Sequence, residues 1–102
     1  MNTPEAQFST IYRAVDWING GLPADRQLTK TPETRLLGPQ SVVDSLALVN
    51  LLIAVEREVE DMFGISLTLA NERALSMNES PFRTIESLAD YVGVLISEAQ
   101  NA

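Results

Sequence analysis

The sequence predicts an all-α fold: a small antiparallel four-helix bundle of three main helices and one short helix, with a long loop between the first two main helices. Three segments repeat apolar residues at the spacing of an amphipathic helix, and each begins beside a capping residue. The strand-like stretch "ISLTL", residues 65–69, has no comparable second strand to pair with, so it is predicted to be an extended connector. The chain of 102 residues is expected to form one domain.

The first helix is predicted to begin after Thr3, which can cap it, with Pro4 at the first helical position and Gly20-Gly21 as its end. Trp17 points away from the apolar face of this helix, so it lies either against the following loop or against a partner. The apolar face consists of Phe8, Ile11, Tyr12, Val15 and Ile18.

The long loop is predicted over residues 20–43, which contain three prolines and a glycine pair within a polar run. Leu36 and Leu37 are expected to attach it to the core. A connection of this length without regular structure is uncommon in a compact domain and is often functional.

Two main helices follow the loop. The first of them is predicted from Ser45 to Phe63, with Gly64 as its C-terminal stop. Asn71 can cap the short helix over "ERALSM", and Thr84 can cap the last helix after the interruption at Pro81. The apolar face of the last helix consists of Ile85, Leu88, Val92, Leu95 and Ile96.

The helix predicted over residues 45–63 has two apolar faces. The broader face is the expected core, consisting of Leu48, Leu51, Leu52, Val55, Val59, Met62 and Phe63. On the opposite side lies a narrow strip, consisting of Leu46, Val49 and Ile53 among Asn50, Glu56, Arg57 and Glu60. Either the loop covers this strip, or it is a docking surface with an apolar centre and a charged rim.

The composition excludes several classes of function. The formal net charge is −7, from 14 acidic and 7 basic residues, so neither nucleic acid nor an anionic membrane is an expected partner. The chain has no cysteine and no histidine, which removes disulfides, the usual zinc ligands and the commonest general base. The acidic cluster of Glu58, Glu60 and Asp61 lacks a coordination-loop pattern, so no metal site is predicted. The absence of a signal-peptide pattern or an apolar run of about 20 residues favours a cytoplasmic protein.

Two chemical roles are open to Ser45: a nucleophile in catalysis by the chain itself, or the acceptor of a group that another enzyme attaches. As a nucleophile it would need a neighbouring base, and without histidine only Lys30 or a carboxylate is available. As an acceptor it needs only a fixed position, because a modifying enzyme can bring its own base and metal. A helix N-terminus also favours an anionic product such as a phosphodiester.

Asp44, Ser45 and Leu46 follow a long loop and open an amphipathic helix. This arrangement resembles the phosphopantetheine attachment motif of acyl carrier proteins. The tripeptide alone is a weak signal, expected by chance in on the order of a few per cent of chains of this size. The length, acidity, lack of cysteine and histidine, and helix pattern agree with the resemblance, which covers about residues 5–98.

In that family the serine carries 4′-phosphopantetheine, transferred from coenzyme A by a Mg²⁺-dependent phosphopantetheinyl transferase, and the terminal thiol holds an acyl group as a thioester. The resemblance implies that Ser45 is the attachment site and Asp44 the adjacent acidic recognition residue. No residue of the chain is then catalytic, and a loading ligase or transferase and the pathway enzymes are expected to bind a monomeric carrier. The partner-binding residues that the resemblance implies are Leu46, Val49, Ile53, Glu56 and Glu60.

The sequence also departs from the carriers of fatty-acid synthesis. Ala47, Asn50 and Arg57 stand where those carriers are commonly acidic, and the second helix is about one turn longer, which favours a dedicated biosynthetic pathway. Two alternatives remain. One is a discrete aminoacyl or peptidyl carrier, although the carriers of nonribosomal synthesis usually place two glycines before the serine. The other is a non-enzymatic acidic helical module that binds a basic partner without a covalent cofactor.

Overall fold

The computed structural model describes residues 3–36, 45–69 and 82–100. Within these ranges the chain forms three α-helices and one short 3₁₀ helix. The α-helices are α1 (Pro4–Asn19), α2 (Ser45–Phe63) and α3 (Ile85–Gln100), and the 3₁₀ helix spans Ala24–Arg26. The described ranges contain no β-strand, only an isolated antiparallel bridge between Arg35 and Thr84.

The predicted all-α class is therefore confirmed for the described part of the chain, and residues 65–69 have no regular secondary structure, as predicted. The short helix predicted over residues 72–77 lies outside the described residues. The same holds for residues 37–43 of the predicted loop, including Leu37. Among the residues that the structure describes, no helix combines the length and the apolar character that crossing a membrane requires.

Helix α1 begins and ends as its sequence predicts. The Thr3 hydroxyl accepts a hydrogen bond from the backbone N–H of Ala6 at 3.2 Å, which satisfies one of the free N–H groups of the first turn. At the other end the Gly20 N–H donates to the Asp16 carbonyl at 3.2 Å, and the Gly21 N–H donates to the Ile18 carbonyl at 3.0 Å.

Helix α2 has the predicted bounds and the predicted stop. Gly64 follows its last residue with φ of +68°, a conformation that residues with a side chain rarely adopt. The Gly64 N–H donates to the Glu60 carbonyl at 2.9 Å and so satisfies a carbonyl of the last turn.

The loop after α1 is attached to the first turn of α3 by backbone hydrogen bonds. The Ile85 N–H donates to the Thr34 carbonyl at 3.0 Å, and the Glu86 N–H donates to the Pro32 carbonyl at 2.9 Å. In the opposite direction the Leu36 N–H donates to the Arg83 carbonyl at 2.8 Å. The loop therefore supplies acceptors to the N–H groups that a helix N-terminus leaves free.

A second attachment joins the loop to the end of α1. The side-chain amide of Asn19 bonds the backbone of Leu28 in both directions, accepting from its N–H at 2.8 Å and donating to its carbonyl at 3.0 Å. Leu28 itself is buried. Further along the loop, Lys30 forms an ion pair with Asp16 of α1 at 2.9 Å.

Helix α1 packs against both other helices. At its contact with α3, Gly93 lies so close to the Gln7 side chain that an added Cβ would be 2.7 Å from the Gln7 Cδ. One continuous core results. Its fully buried larger members are Ile11, Val15, Leu36, Leu51, Leu52, Val55, Val59, Leu69, Phe82, Ile85, Leu88, Val92 and Ile96.

Met62 is a correction to the predicted core, because its side chain is 40% exposed. A helical wheel gives the direction of a side chain but not whether a neighbouring element extends far enough to cover it. Met62 lies one residue before the end of α2. The periodicity is right, but at this last turn the side chain remains partly uncovered.

Thr84 and Ser87 form a reciprocal cap at the start of α3. The Thr84 hydroxyl accepts from the Ser87 N–H at 3.1 Å, and the Ser87 hydroxyl accepts from the Thr84 N–H at 3.0 Å. This is the arrangement of a capping box, with serine in the place usually taken by glutamate or glutamine.

We expect Thr84→Ala to lower the free energy of unfolding by about 1–2 kcal/mol, because the Ser87 N–H loses its acceptor. Thr84→Ser keeps the hydroxyl and is expected to lose less than about 0.5 kcal/mol. Urea unfolding followed by circular dichroism measures both. Equal losses in the two variants would contradict a role for the hydroxyl at this position.

Candidate functional site

The predicted modification site lies at the beginning of α2. Ser45 is the first residue of this helix, as the sequence predicts, whereas Asp44 lies outside the described residues. The first turn of an α-helix has N–H groups without intrahelical partners and carries a partial positive charge. A group attached to Ser45 would therefore start from the positive end of α2.

The apolar strip that follows Ser45 is at least partly at the surface. Leu46 is 70% exposed and Ile53 is 45% exposed, while Val49 between them is half-buried. Of the two hypotheses for this strip, cover by the loop does not hold for Leu46 and Ile53. The described part of the loop instead contacts α1 and the start of α3.

The two acids assigned to partner binding have different surroundings. Glu56 is half-buried, and its carboxylate Oε2 accepts a hydrogen bond of 2.6 Å from the backbone N–H of Leu69. It therefore holds the connector that follows α2. Glu60 is exposed, one turn further along the helix. Glu60 is free to act as an acidic rim residue, whereas Glu56 already has a structural role.

A groove between α1 and α2 adjoins the strip at Ile53. Its volume is about 500 Å³, and its lining residues are Trp17, Asn50, Ile53, Ala54, Arg57, Glu58 and Asp61. Trp17 is 66% exposed. Beside the groove, Arg13 of α1 forms an ion pair with Glu58 of α2 at 3.4 Å, which joins the two helices that form its walls.

The sequence alone does not predict this groove. The wheels place Trp17 and Ile53 on the outer sides of their own helices, but they do not say which outer sides meet. A pair of outward-facing apolar residues on consecutive helices, such as Trp17 and Ile53, is the signal that could have indicated it.

Arg35 and Arg83 line another surface concavity, of about 380 Å³, beside the start of α3. Basic side chains at a helix N-terminus usually suggest an anion site. Here the N–H groups of Ile85 and Glu86 already donate to loop carbonyls, and the Ser87 N–H donates to Thr84. The feature that makes a helix N-terminus bind anions is therefore used within the protein.

Lys30, the one amine considered as a base for Ser45, forms its ion pair with Asp16 on α1. Within the described ranges, no group of three or more acidic, histidine or cysteine residues is arranged to hold a metal ion. The arrangement around the start of α2 thus offers a position for attachment and an apolar surface beside it.

Comparison with known proteins adds no relative: no protein-family model, curated protein or solved structure matches this chain significantly.

We expect Glu56→Ala to lower the free energy of unfolding by about 1–3 kcal/mol, because the part-buried Leu69 N–H loses a charged acceptor. Glu56→Gln keeps an acceptor oxygen at the same reach and is expected to lose less than about 1 kcal/mol. Glu60→Ala is the matched exposed control, with an expected change within about 0.5 kcal/mol.

Chemical unfolding of the three variants beside the wild type makes this comparison. If Glu56→Ala is as stable as Glu60→Ala, the bond to Leu69 contributes nothing measurable. Glu56 would then be as available to partners as Glu60.

Proposed function

We propose that this protein is a carrier that becomes functional when 4′-phosphopantetheine is attached to Ser45 and that presents an acyl group to partner enzymes of a dedicated biosynthetic pathway. A cytoplasmic location, a monomeric state and a four-helix bundle with the short helix at residues 72–77 belong to the same proposal. The observation that carries it is the position of Ser45 at the first residue of α2, directly before the exposed Leu46.

The position suits a modification performed by another enzyme. Leu46 is largely exposed, so the first turn of α2 is accessible on this side. The dipole of the helix N-terminus favours a phosphodiester at this place. In the transfer, the Ser45 oxygen bonds to the phosphorus next to pantetheine, 3′,5′-adenosine diphosphate leaves, and the hydroxyl proton passes to a base of the transferase.

The composition agrees with a carrier. When bound, the arm supplies a terminal thiol that holds an acyl group as a thioester, so the chain needs no cysteine of its own, and it has none. It also has no histidine, which is compatible with reactions that take place in the pockets of partner enzymes. The tether raises the effective concentration of the cargo near whichever enzyme is bound.

The surface beside Ser45 suits transient partners. The apolar contacts come from Leu46, Val49 and Ile53, and Glu60 supplies an acidic rim. Glu56 contributes less to this rim, because its carboxylate already accepts a hydrogen bond from the Leu69 N–H. The net charge of −7 attracts basic surfaces and steers their approach. We expect the partners to be the phosphopantetheinyl transferase, an acyl- or aminoacyl-loading enzyme and the enzymes that use the cargo.

The test is the intact mass of the protein after incubation with coenzyme A, Mg²⁺ and a broad-specificity phosphopantetheinyl transferase. We expect the wild type to gain the mass of one phosphopantetheine and Ser45→Ala to gain none, because the hydroxyl oxygen is the acceptor. Circular dichroism of both proteins shows that the comparison is between folded chains.

A folded wild type that gains no mass would contradict the carrier and favour the acidic interaction module. A gain of mass in both proteins would place the arm on another residue. Once the arm is attached, the loading enzyme distinguishes an acyl carrier from a discrete aminoacyl carrier, since the two cargoes differ in mass.

A further inference from the structure

The groove between α1 and α2 does not include Ser45 or Leu46, and it exposes the chain's only tryptophan. Trp17 leaves two thirds of its surface uncovered, next to Ile53, which is also exposed. Tryptophan is enriched at protein interfaces and among the residues that contribute most to binding, because it buries a large rigid surface. The groove is therefore a candidate contact surface.

The transferase is the partner that must reach the Ser45 oxygen itself, so the distance between Ser45 and the groove decides whether it also reaches the groove. Ile53 is eight residues after Ser45, which is about 12 Å along an α-helix. A standard interface covers roughly 800 Å² on each partner, equivalent to a disc of about 16 Å radius. An interface centred on the first turn of α2 is therefore wide enough to include Ile53, and Trp17 lines the same groove as Ile53.

The charges around the groove favour a basic occupant. Of the acids near it, Glu58 is paired with Arg13, whereas Glu60 and Asp61 are exposed on the outer side of α2. Arg57 is the one base among the lining residues of the groove. The net charge of −7 attracts cations to the protein as a whole, and Arg57 opposes that attraction at the groove.

We propose that the α1–α2 groove is a second contact area for the phosphopantetheinyl transferase, which inserts an apolar side chain, flanked by lysine or arginine, between Trp17 and Ile53. The inference rests on the proposed attachment of the arm to Ser45. It extends the docking surface from α2 onto α1 and assigns opposite effects to two neighbouring charges. Asp61 strengthens binding of the transferase and Arg57 weakens it.

The experiment is steady-state loading by the transferase with the full chain as the varied substrate. For Trp17→Ala we expect a KM about 10- to 30-fold higher with kcat within about twofold, because a lost tryptophan contact acts on binding and not on the reacting atoms. Trp17→Phe keeps a ring in the groove and is expected to recover most of the loss. Val94→Ala is the control, since Val94 is 54% exposed but lies on α3.

Two charge variants show whether the surface that occupies the groove is basic or acidic. At low salt, Asp61→Asn is expected to raise KM about two- to fivefold and Arg57→Gln to lower it by a similar factor. Both differences should shrink at high salt, where exposed charges are screened. The reverse signs would mean that an acidic surface occupies the groove, which overturns the proposal.

A direct measurement of contact uses fluorotryptophan in place of Trp17, which gives one fluorine resonance because the chain has one tryptophan. In the Ser45→Ala background the transferase can bind without turnover. A shift of the resonance on addition of the transferase supports the contact, and an unchanged resonance under saturating conditions overturns it.

Failure of the two proposals is distinguishable. A folded wild type that is never loaded contradicts the carrier function and removes the transferase as occupant. A wild type that is loaded normally, beside a folded Trp17→Ala variant with unchanged KM, overturns the second contact area alone.

Discussion

The backbone hydrogen bonds between the loop after α1 and the first turn of α3 are the constraint on which the remaining structure depends. Thr34 and Pro32 provide the carbonyls for Ile85 and Glu86, so a helix start next to the buried core is satisfied without water. These bonds join parts of the chain about fifty residues apart and hold the loop against α1 and α3. The described part of the loop, up to Leu36, is thus held against α1 and α3 and not against the outer face of α2. Leu46 and Ile53 remain exposed on that face.

Local sequence signals predicted the helices well, because the groups that begin and end a helix are neighbours along the chain. Thr3, Thr84 and Gly64 act within four residues of their partners, so the starts of α1 and α3 and the end of α2 follow from the sequence. The attachments of the loop depend on partners further away. Nothing in the sequence around Asn19 distinguishes an amide that bonds the backbone of Leu28, nine residues later, from one that faces water. Such pairings require the fold to be known first.

The candidate site likewise has features that the sequence predicts and features that it does not. Ser45 at the start of α2 and an exposed strip beginning at Leu46 follow from capping and periodicity. The hydrogen bond from the Leu69 N–H to Glu56 does not follow from capping or periodicity, because it depends on the path of the connector after Gly64. Charge alone therefore does not tell a rim acid from a structural one. The groove at Trp17 needed the relative placement of two helices, which periodicity on each helix separately does not give.

The exposed apolar groups of α2 are separated, and this spacing suits a protein that exchanges partners. Leu46 and Ile53 are about two turns apart, with the exposed Asn50 between them, and the charged Arg57 and Glu60 follow Ile53. A large contiguous apolar patch on a small protein promotes self-association, whereas small patches contribute to binding only when a partner adds its own complementary contacts. The net charge of −7 acts in the same direction, because two copies of the chain repel each other while a basic partner is attracted. Both effects limit lasting contacts between copies and leave the face beside Ser45 available for the weakly held basic partners that the proposed carrier function requires.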